Sequence, residues 1–213
     1  MFRGSLSLLR SKIMTLWQLL QSDLYRIDAK QGVTCLVTAL LRNPSFRYAA
    51  LFRLCQHCKR HPLLRQTICL PLLFWYSRLG IKYGIRIPLL CQIGPGLLIE
   101  HWGGIWVNAE VIIGANCNLC HNVTLGLAGR EGQKGTPRVG DNVFIGPGAM
   151  ALGSILIGNG AVITANSVAL DDIPENGVLM GNPGRVFSRQ GSRGLQKNLV
   201  VTQNELTQKE PEV

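Results

Sequence analysis

The chain has 213 residues, 46% hydrophobic content and a mean hydropathy of +0.17, enough for one good core or two small ones and too apolar for a disordered polypeptide. Its formal net charge of +10 is unevenly placed: residues 1–88 hold fourteen Lys or Arg against two acids, Asp23 and Asp28, whereas residues 89–213 hold eight against ten. A basic amino-terminal surface suits an anionic membrane, a polyanion or an acidic partner, and with no recognition motif beside the charge nucleic acid is not expected.

Residues 1–13 are basic and rich in Leu and Ser without a clear period, and Met14 is a second candidate start. From Met14 to Ile27 the spacing of Leu16, Leu19, Leu20, Leu24 and Ile27 fits one helix face. A second helix is expected from Gly32 to Leu41. Asn43 followed by Pro44 is a cap and first-turn signal, so a third should start there and run towards His61, carrying Phe46, Ala49, Ala50, Arg53 and Leu54. Pro62 opens a further apolar segment through Leu79, which Gly80 and Gly84 should end. Residues 1–88 are thus read as a helical region. The segment Leu63, Leu64, Leu72, Leu73, Phe74 and Trp75 with Arg60, Arg65, Arg78 and Lys82 fits either a membrane surface or, preferably, a helix–helix interface.

The pattern then changes. Between Ile93 and Ala169 aliphatic residues recur every sixth position: Ile93 and Ile99; then Val107, Ile113, Leu119 and Leu125; then Val139, Ile145, Ala151, Ile157, Ile163 and Ala169. A second small or apolar residue follows each anchor by four. Two residues are added around Gly103 to Trp106, and eight between Gly126 and Thr136. A six-residue period suits neither an amphipathic helix nor an alternating strand; it is the pattern of a parallel β-helix in which each hexapeptide supplies a short strand and a corner. Gly, Asn and Asp clusters such as Gly140-Asp141-Asn142 allow the corners. Residues 89–187 are read as this domain, closed by Gly181-Asn182-Pro183-Gly184-Arg185-Val186, and 188–213 as a polar, loosely ordered tail.

Seven cysteines are an odd number set in apolar runs, the pattern of reduced core residues. No metal is expected at Cys55 and Cys58, which fall in a helical pattern, or at Cys117 and Cys120, because Cys117 is an inward position of the repeat. Neither a signal peptide nor a membrane span is expected, since the most apolar run, Thr67 to Tyr76, is far short of the roughly 20 residues a bilayer needs.

Two histidines lie in the repeat, His101 and His121, each two positions after an anchor. Three hexapeptides make one coil, and the two-residue slip sets the second histidine one coil beyond the first. The two should stack on one face about 5 Å apart. A histidine titrates close to working pH and suits removal of a proton from a hydroxyl.

Ile93-Gly94-Pro95-Gly96, Glu100-His101, Gly103-Gly104-Ile105, Asn122-Val123-Thr124-Leu125-Gly126, Gly140-Asp141-Asn142-Val143-Phe144-Ile145-Gly146 and the closing Gly-Asn-Pro-Gly-Arg-Val resemble the hexapeptide-repeat acyltransferases with a left-handed parallel β-helix, and within them the serine acetyltransferase-like branch. The resemblance covers nearly the whole chain except the tail. It implies a mostly β fold with an amino-terminal helical region, a cytoplasmic homotrimer, and acetyl-CoA as donor in the groove between neighbouring β-helices. His101 matches the catalytic base, with Glu100 beside it and backbone amides stabilising the oxyanion. His121, Glu110, Trp102 and Thr136 would face the acceptor. Gly126, Gly146 and Ala165 match the positions that hold the pantetheine arm, and Ala128, Arg130, Lys134 and Arg185 are the loop and closing residues assigned to the cofactor, with Arg138 nearby. A dimer of trimers through the helical region and peripheral contact with the inner membrane surface are further expectations.

The departures steer the acceptor. Serine acetyltransferases place Asp before the catalytic histidine, where this chain has Glu100, and pair that histidine with a carboxylate where this chain has Arg86. Glu100 or Glu110 is left as its partner. They hold the serine carboxylate with an Arg-His pair, which here reads Gly135 and Thr136, and without those cations charge-assisted bonds are lost. The chain also ends Glu-Pro-Glu-Val rather than in the isoleucine-terminated tail that binds cysteine synthase. The expectation is therefore an O-acetyltransferase acting on a sugar or polysaccharide precursor, as in exopolysaccharide and capsule pathways. Its alternatives are a serine O-acetyltransferase and a non-catalytic membrane-associated scaffold. A zinc hydratase on the same β-helix would want three histidines, and the repeat has two.

Overall fold

In a computed structural model the described residues are 14–60, 69–128 and 134–200. Four helices precede the repeat: α1 (Leu16–Asp28), α2 (Val33–Arg42), α3 (Pro44–Arg60) and α4 (Cys69–Tyr83). Thr15 and Gln18 form a reciprocal capping box on α1, and the Asn43 side chain accepts from the Phe46 amide at 3.0 Å ahead of Pro44, as the sequence signal predicts. The last helix departs from expectation because it runs through Gly80 to Tyr83. A Cβ at Gly80 would stand 2.9 Å from the Ile85 carbonyl oxygen, so the glycine there serves a close approach, and Gly84, with φ +61°, ends the helix. His61 and the segment Pro62 to Arg65 lie outside the described residues.

Beyond Gly84 the chain winds as a parallel β-helix with three faces. The first sheet stacks β1 (Ile85–Arg86), β4 (Ile105–Val107), β7 (Thr124–Gly126), β10 (Met150–Leu152) and β13 (Val168–Ala169). The second stacks β2 (Gln92–Ile93), β5 (Ile112–Ile113), β8 (Arg138–Val139) and β11 (Leu156–Ile157). The third stacks β3 (Leu98–Glu100), β6 (Asn118–Cys120), β9 (Phe144–Ile145), β12 (Val162–Ile163) and β14 (Val178–Gly181), with β15 (Gly184–Ser188) antiparallel at its end. The hexapeptide anchors pair coil to coil, Ile99 with Leu119 and Leu119 with Ile145, and nearly all are buried in one continuous core. Each coil leaves its next face through a corner, and five corner asparagines, Asn116, Asn122, Asn142, Asn166 and Asn176, adopt the left-handed conformation that asparagine tolerates best.

Buried charge fastens the helices to the first coils. Asp23 of α1 and Arg53 of α3 form an ion pair at 2.9 Å with side chains 0% and 1% exposed. Arg53 also donates to the carbonyls of Ile93 (2.7 Å) and Gly94 (2.6 Å), and Asp23 accepts from the Leu97 amide at 2.9 Å. Arg26 is equally buried; it donates to the Asn118 side chain, to Gly96 (3.3 Å) and to the Lys197 carbonyl (3.0 Å). A second junction is made by Tyr48 and Tyr76, whose hydroxyls lie 2.7 Å apart and meet the backbone of Ile87; burial pushes both phenols up.

The segment after β15 corrects the expectation of a loose tail. Ser192 donates to the Asn142 carbonyl at 2.7 Å, and its amide reaches Gly160 at 2.8 Å. The Val200 backbone exchanges two bonds with the Asn116 side chain, at 2.7 and 2.9 Å. Residues 189–200 therefore run back along the corners. Residues 201–213 lie outside the described residues.

Among the described residues no helix is long and apolar enough to cross a membrane. Six of the seven cysteines are buried and all are unpaired; burial pushes the thiols of Cys55, Cys117 and Cys120 up to about 12.

Candidate active site

The two histidines stand at the corner where the third face turns into the first. His101 follows β3 and has φ +61°, a left-handed conformation uncommon outside glycine and tolerated best by Asn, Asp and His. The two-residue slip sets it there. Between Glu100 and Trp106 the first coil carries five residues against three in the next, because Glu100 pairs with Cys120 and Trp106 with Thr124. Gly103 and Gly104 absorb the excess. A Cβ at Gly104, where φ is +67°, would meet Asn122 Oδ1 at 2.0 Å and Asn122 Cα at 3.0 Å, so a side chain there is both crowded and strained. His101 is left on a small outward bulge, exposed, with His121 half-buried one coil away. Their ring centroids are 5.9 Å apart and the planes meet at 76°, edge to face. The predicted stacking is present.

His121 carries the most informative atom. Its Nδ1 is buried and has no hydrogen-bond partner. A buried polar atom without a partner costs about 1–3 kcal/mol.

The neighbours of His101 are arranged unlike the sequence expectation. The Glu100 carboxylate is turned to Asn118 Nδ2 (3.5 Å) and Cys120 Sγ (3.8 Å), in the cluster that holds Arg26, and among the described residues it makes no ion pair with His101. Burial lowers the Arg26 guanidinium, and the surrounding Cys117, Glu100 and Asp23 partly restore it. Arg86, paired with Trp106 across the first face, lies over that indole ring at 4.6 Å from its centroid. The exposed Trp102 rests against Tyr83 at 6.1 Å, a contact the sequence did not announce because it joins the helical region to the histidine bulge.

The other expected residues fall into two places. Gly148 donates its amide to the His121 carbonyl at 3.0 Å, and Asn166 donates to Pro147 at 2.8 Å, so Gly146 and Ala165 continue the histidine corner down the next two coils. A Cβ on Gly146 would stand 2.9 Å from the Ala165 amide, so the glycine there serves the close approach of two coils. Glu110, Ala128, Lys134 and Thr136, by contrast, stand at the next corner, between the first face and the second. Glu110 lies between β4 and β5, with its amide bonded to Asn108 Oδ1 at 3.1 Å. Ala128 bridges Lys134 and Gly135 in the connection from β7 to β8, whose Arg130 lies outside the described residues. Gly126 ends β7 at that same turn, and Arg185 is exposed on β15. Within one chain the acceptor residues expected near the histidines are thus divided between two corners.

A three-faced hexapeptide β-helix, a helical preface and a stacked histidine pair on a widened corner define the class: the left-handed β-helix acyltransferases. Residues 136–169 match the family model for the bacterial transferase hexapeptide (six repeats). The chain is 35% identical to the serine acetyltransferase of Staphylococcus aureus over 148 residues, 68% of each protein. Among solved structures it is similar to the serine acetyltransferase of Brucella abortus in complex with coenzyme A, with TM-score 0.66, 27% identity and coverage of 81% of this chain and 68% of that one. It is likewise similar to the enzyme of Neisseria gonorrhoeae in complex with serine, with TM-score 0.66, 27% identity and coverage of 81% and 69%. The chain belongs to the serine acetyltransferase family of hexapeptide-repeat proteins. It spans only 34% to 45% of the length of the first curated relatives it matches.

Proposed function

We propose that the protein is an acetyl-CoA-dependent O-acetyltransferase in which His101 is the general base. The observation that carries this reading is the exposed imidazole of His101 set edge to face against His121. His101 takes the proton of an acceptor hydroxyl as its oxygen bonds to the thioester carbonyl carbon, backbone amides stabilise the oxyanion, and the imidazolium returns the proton to the sulfur as the carbon–sulfur bond breaks. His121, half-buried one coil away, stands beside the acceptor. The groove over Gly146 and Ala165 receives the pantetheine arm, with the cations Lys134, Arg138 and Arg185 available for phosphates. No carboxylate of this chain is paired with His101 among the described residues, so its orientation rests on the bulge and on the stacked His121.

The acceptor favoured by the relatives is the hydroxyl of L-serine. The similarities lend no support to the sugar acceptor that the departures from the family pattern suggested. A sugar remains the second reading on one observation: Gly135 and Thr136 offer no charge to an amino-acid carboxylate. Assembly as a homotrimer accompanies the proposal, because the histidine corner of one chain and the Glu110, Lys134 and Thr136 corner of a neighbour would meet only between chains. A cytoplasmic location completes it, since acetyl-CoA is the donor. Incubation with acetyl-CoA and either L-serine or a panel of sugars, read by mass spectrometry, separates the two acceptors. O-acetylserine supports the first; acetylated sugar without O-acetylserine overturns it.

A further inference from the structure

The outer face of α4 takes no part in acetyl transfer. A helix advances about 100° per residue, so Leu70, Phe74 and Ile81 fall within about 40° of arc, with Arg78 and Lys82 beside them and Trp75 at the far edge. Leu70 is 72% exposed, Phe74 62%, Trp75 60% and Ile81 76%. The opposite face already fills the core through Cys69, Tyr76 and Tyr83, so packing among the described residues does not account for the outer row.

Charge decides what covers it. Between Asp28 and Glu100 the chain carries ten Lys or Arg and not one acid. A second copy docked face to face on α4 would set Arg78 and Lys82 against their own equivalents with no carboxylate to neutralise them. An anionic bilayer accepts both components, since aromatic and aliphatic side chains enter the boundary between headgroups and acyl chains while cations meet lipid phosphates. Among the described residues no helix is long and apolar enough to cross, so a helix that meets the bilayer here would lie in its surface.

We propose that α4 is an interfacial helix that seats the protein on an anionic lipid surface, inserting Leu70, Phe74, Trp75 and Ile81 and placing Arg78 and Lys82 on headgroup phosphates. The seat is next to the candidate site, because Tyr83 at the end of α4 packs against Trp102, which follows His101. A seated helix holds the histidine corner close to the lipid.

The test is co-sedimentation of the full chain with vesicles of phosphatidylglycerol and phosphatidylcholine, and with phosphatidylcholine alone, at low and high salt. Binding is expected to the anionic vesicles only and to weaken with salt. R78Q/K82Q should bind roughly 25-fold more weakly, about fivefold for each cation removed. F74S/W75S should lose binding at either salt, with circular dichroism and acetyl transfer to a soluble acceptor unchanged in both variants. Absence of binding to anionic vesicles, or binding that neither pair of substitutions alters, overturns the proposal. So does a fall in the oligomer mass of F74S/W75S on light scattering, which would assign the face to a second copy. Vesicle binding, circular dichroism and light scattering are read independently of whether acetyl transfer takes place.

Discussion

Asp23→Ala tests the claim that buried charge joins the helices to the β-helix. The carboxylate accepts two bonds from Arg53, at 2.9 and 3.2 Å, and one from the Leu97 amide at 2.9 Å, and both charged side chains are essentially excluded from solvent. Truncation leaves a buried guanidinium that keeps its bonds to Ile93 and Gly94 but loses its counter-charge. Removing one partner of a buried pair costs about 3–5 kcal/mol, far more than the pair itself is worth against an apolar replacement. For a chain of this size that lowers Tm by roughly 6–20 °C. The double variant Asp23→Ala/Arg53→Met removes the orphaned charge and should recover part of the loss, so the two single costs do not add. Urea unfolding of the four proteins measures this. A loss below about 1 kcal/mol for Asp23→Ala, with full additivity, would show that the pair is hydrated and would refute the reasoning.

Further outcomes follow from the corners and the core. His121→Ala should raise KM for the acceptor more than it lowers kcat, since His121 is assigned to the acceptor side of the site; steady-state kinetics at varied acceptor concentration decide it, and an unchanged KM contradicts the assignment. Gly104→Ala should destabilise the chain by a few kcal/mol (~2) and lower activity, because its Cβ would enter Asn122 and disturb the bulge that carries His101; thermal unfolding and turnover report both. Asn116→Ala should release Val200 and speed its amide exchange, with little effect on the exchange of the anchors. Of the seven cysteines, the half-buried Cys35 should react first with a thiol reagent near pH 8, because burial holds thiols such as Cys55, Cys117 and Cys120 up to about 12; labelling followed by peptide mass analysis identifies it.

The β-helix was legible because its physics is periodic. An anchor every six residues is enough to place Ile99, Leu119 and Ile145 in one inward row, and counting the slip was enough to set His121 beside His101. What the count does not contain is which of three corners a residue occupies relative to another. Glu110 and Thr136 are close to the histidines in sequence and stand at a different corner in space. The direction of Glu100 was hidden for a related reason: its partners, Asn118 and Cys120, come from the next coil, and Arg26 comes from a helix seventy-four residues upstream. Gly80 read as a helix stop, although its small size serves the approach of Ile85. Residues 189–200 have no apolar period because they dock through backbone groups and asparagine amides, which leave no hydrophobic signature. Arg53 did lie on the apolar face of its predicted helix, and the buried pair with Asp23 explains why an arginine belongs there.

The central claim is that His101 removes the proton of an acceptor hydroxyl during transfer of an acetyl group. Its most direct measurement is turnover of acetyl-CoA with the preferred acceptor by the full chain and by His101→Ala, alongside coenzyme A binding by calorimetry. A general base contributes about 10²–10⁴ in rate, so the variant should lose at least a hundredfold in kcat while binding coenzyme A with unchanged affinity. Undiminished turnover in His101→Ala would contradict the account.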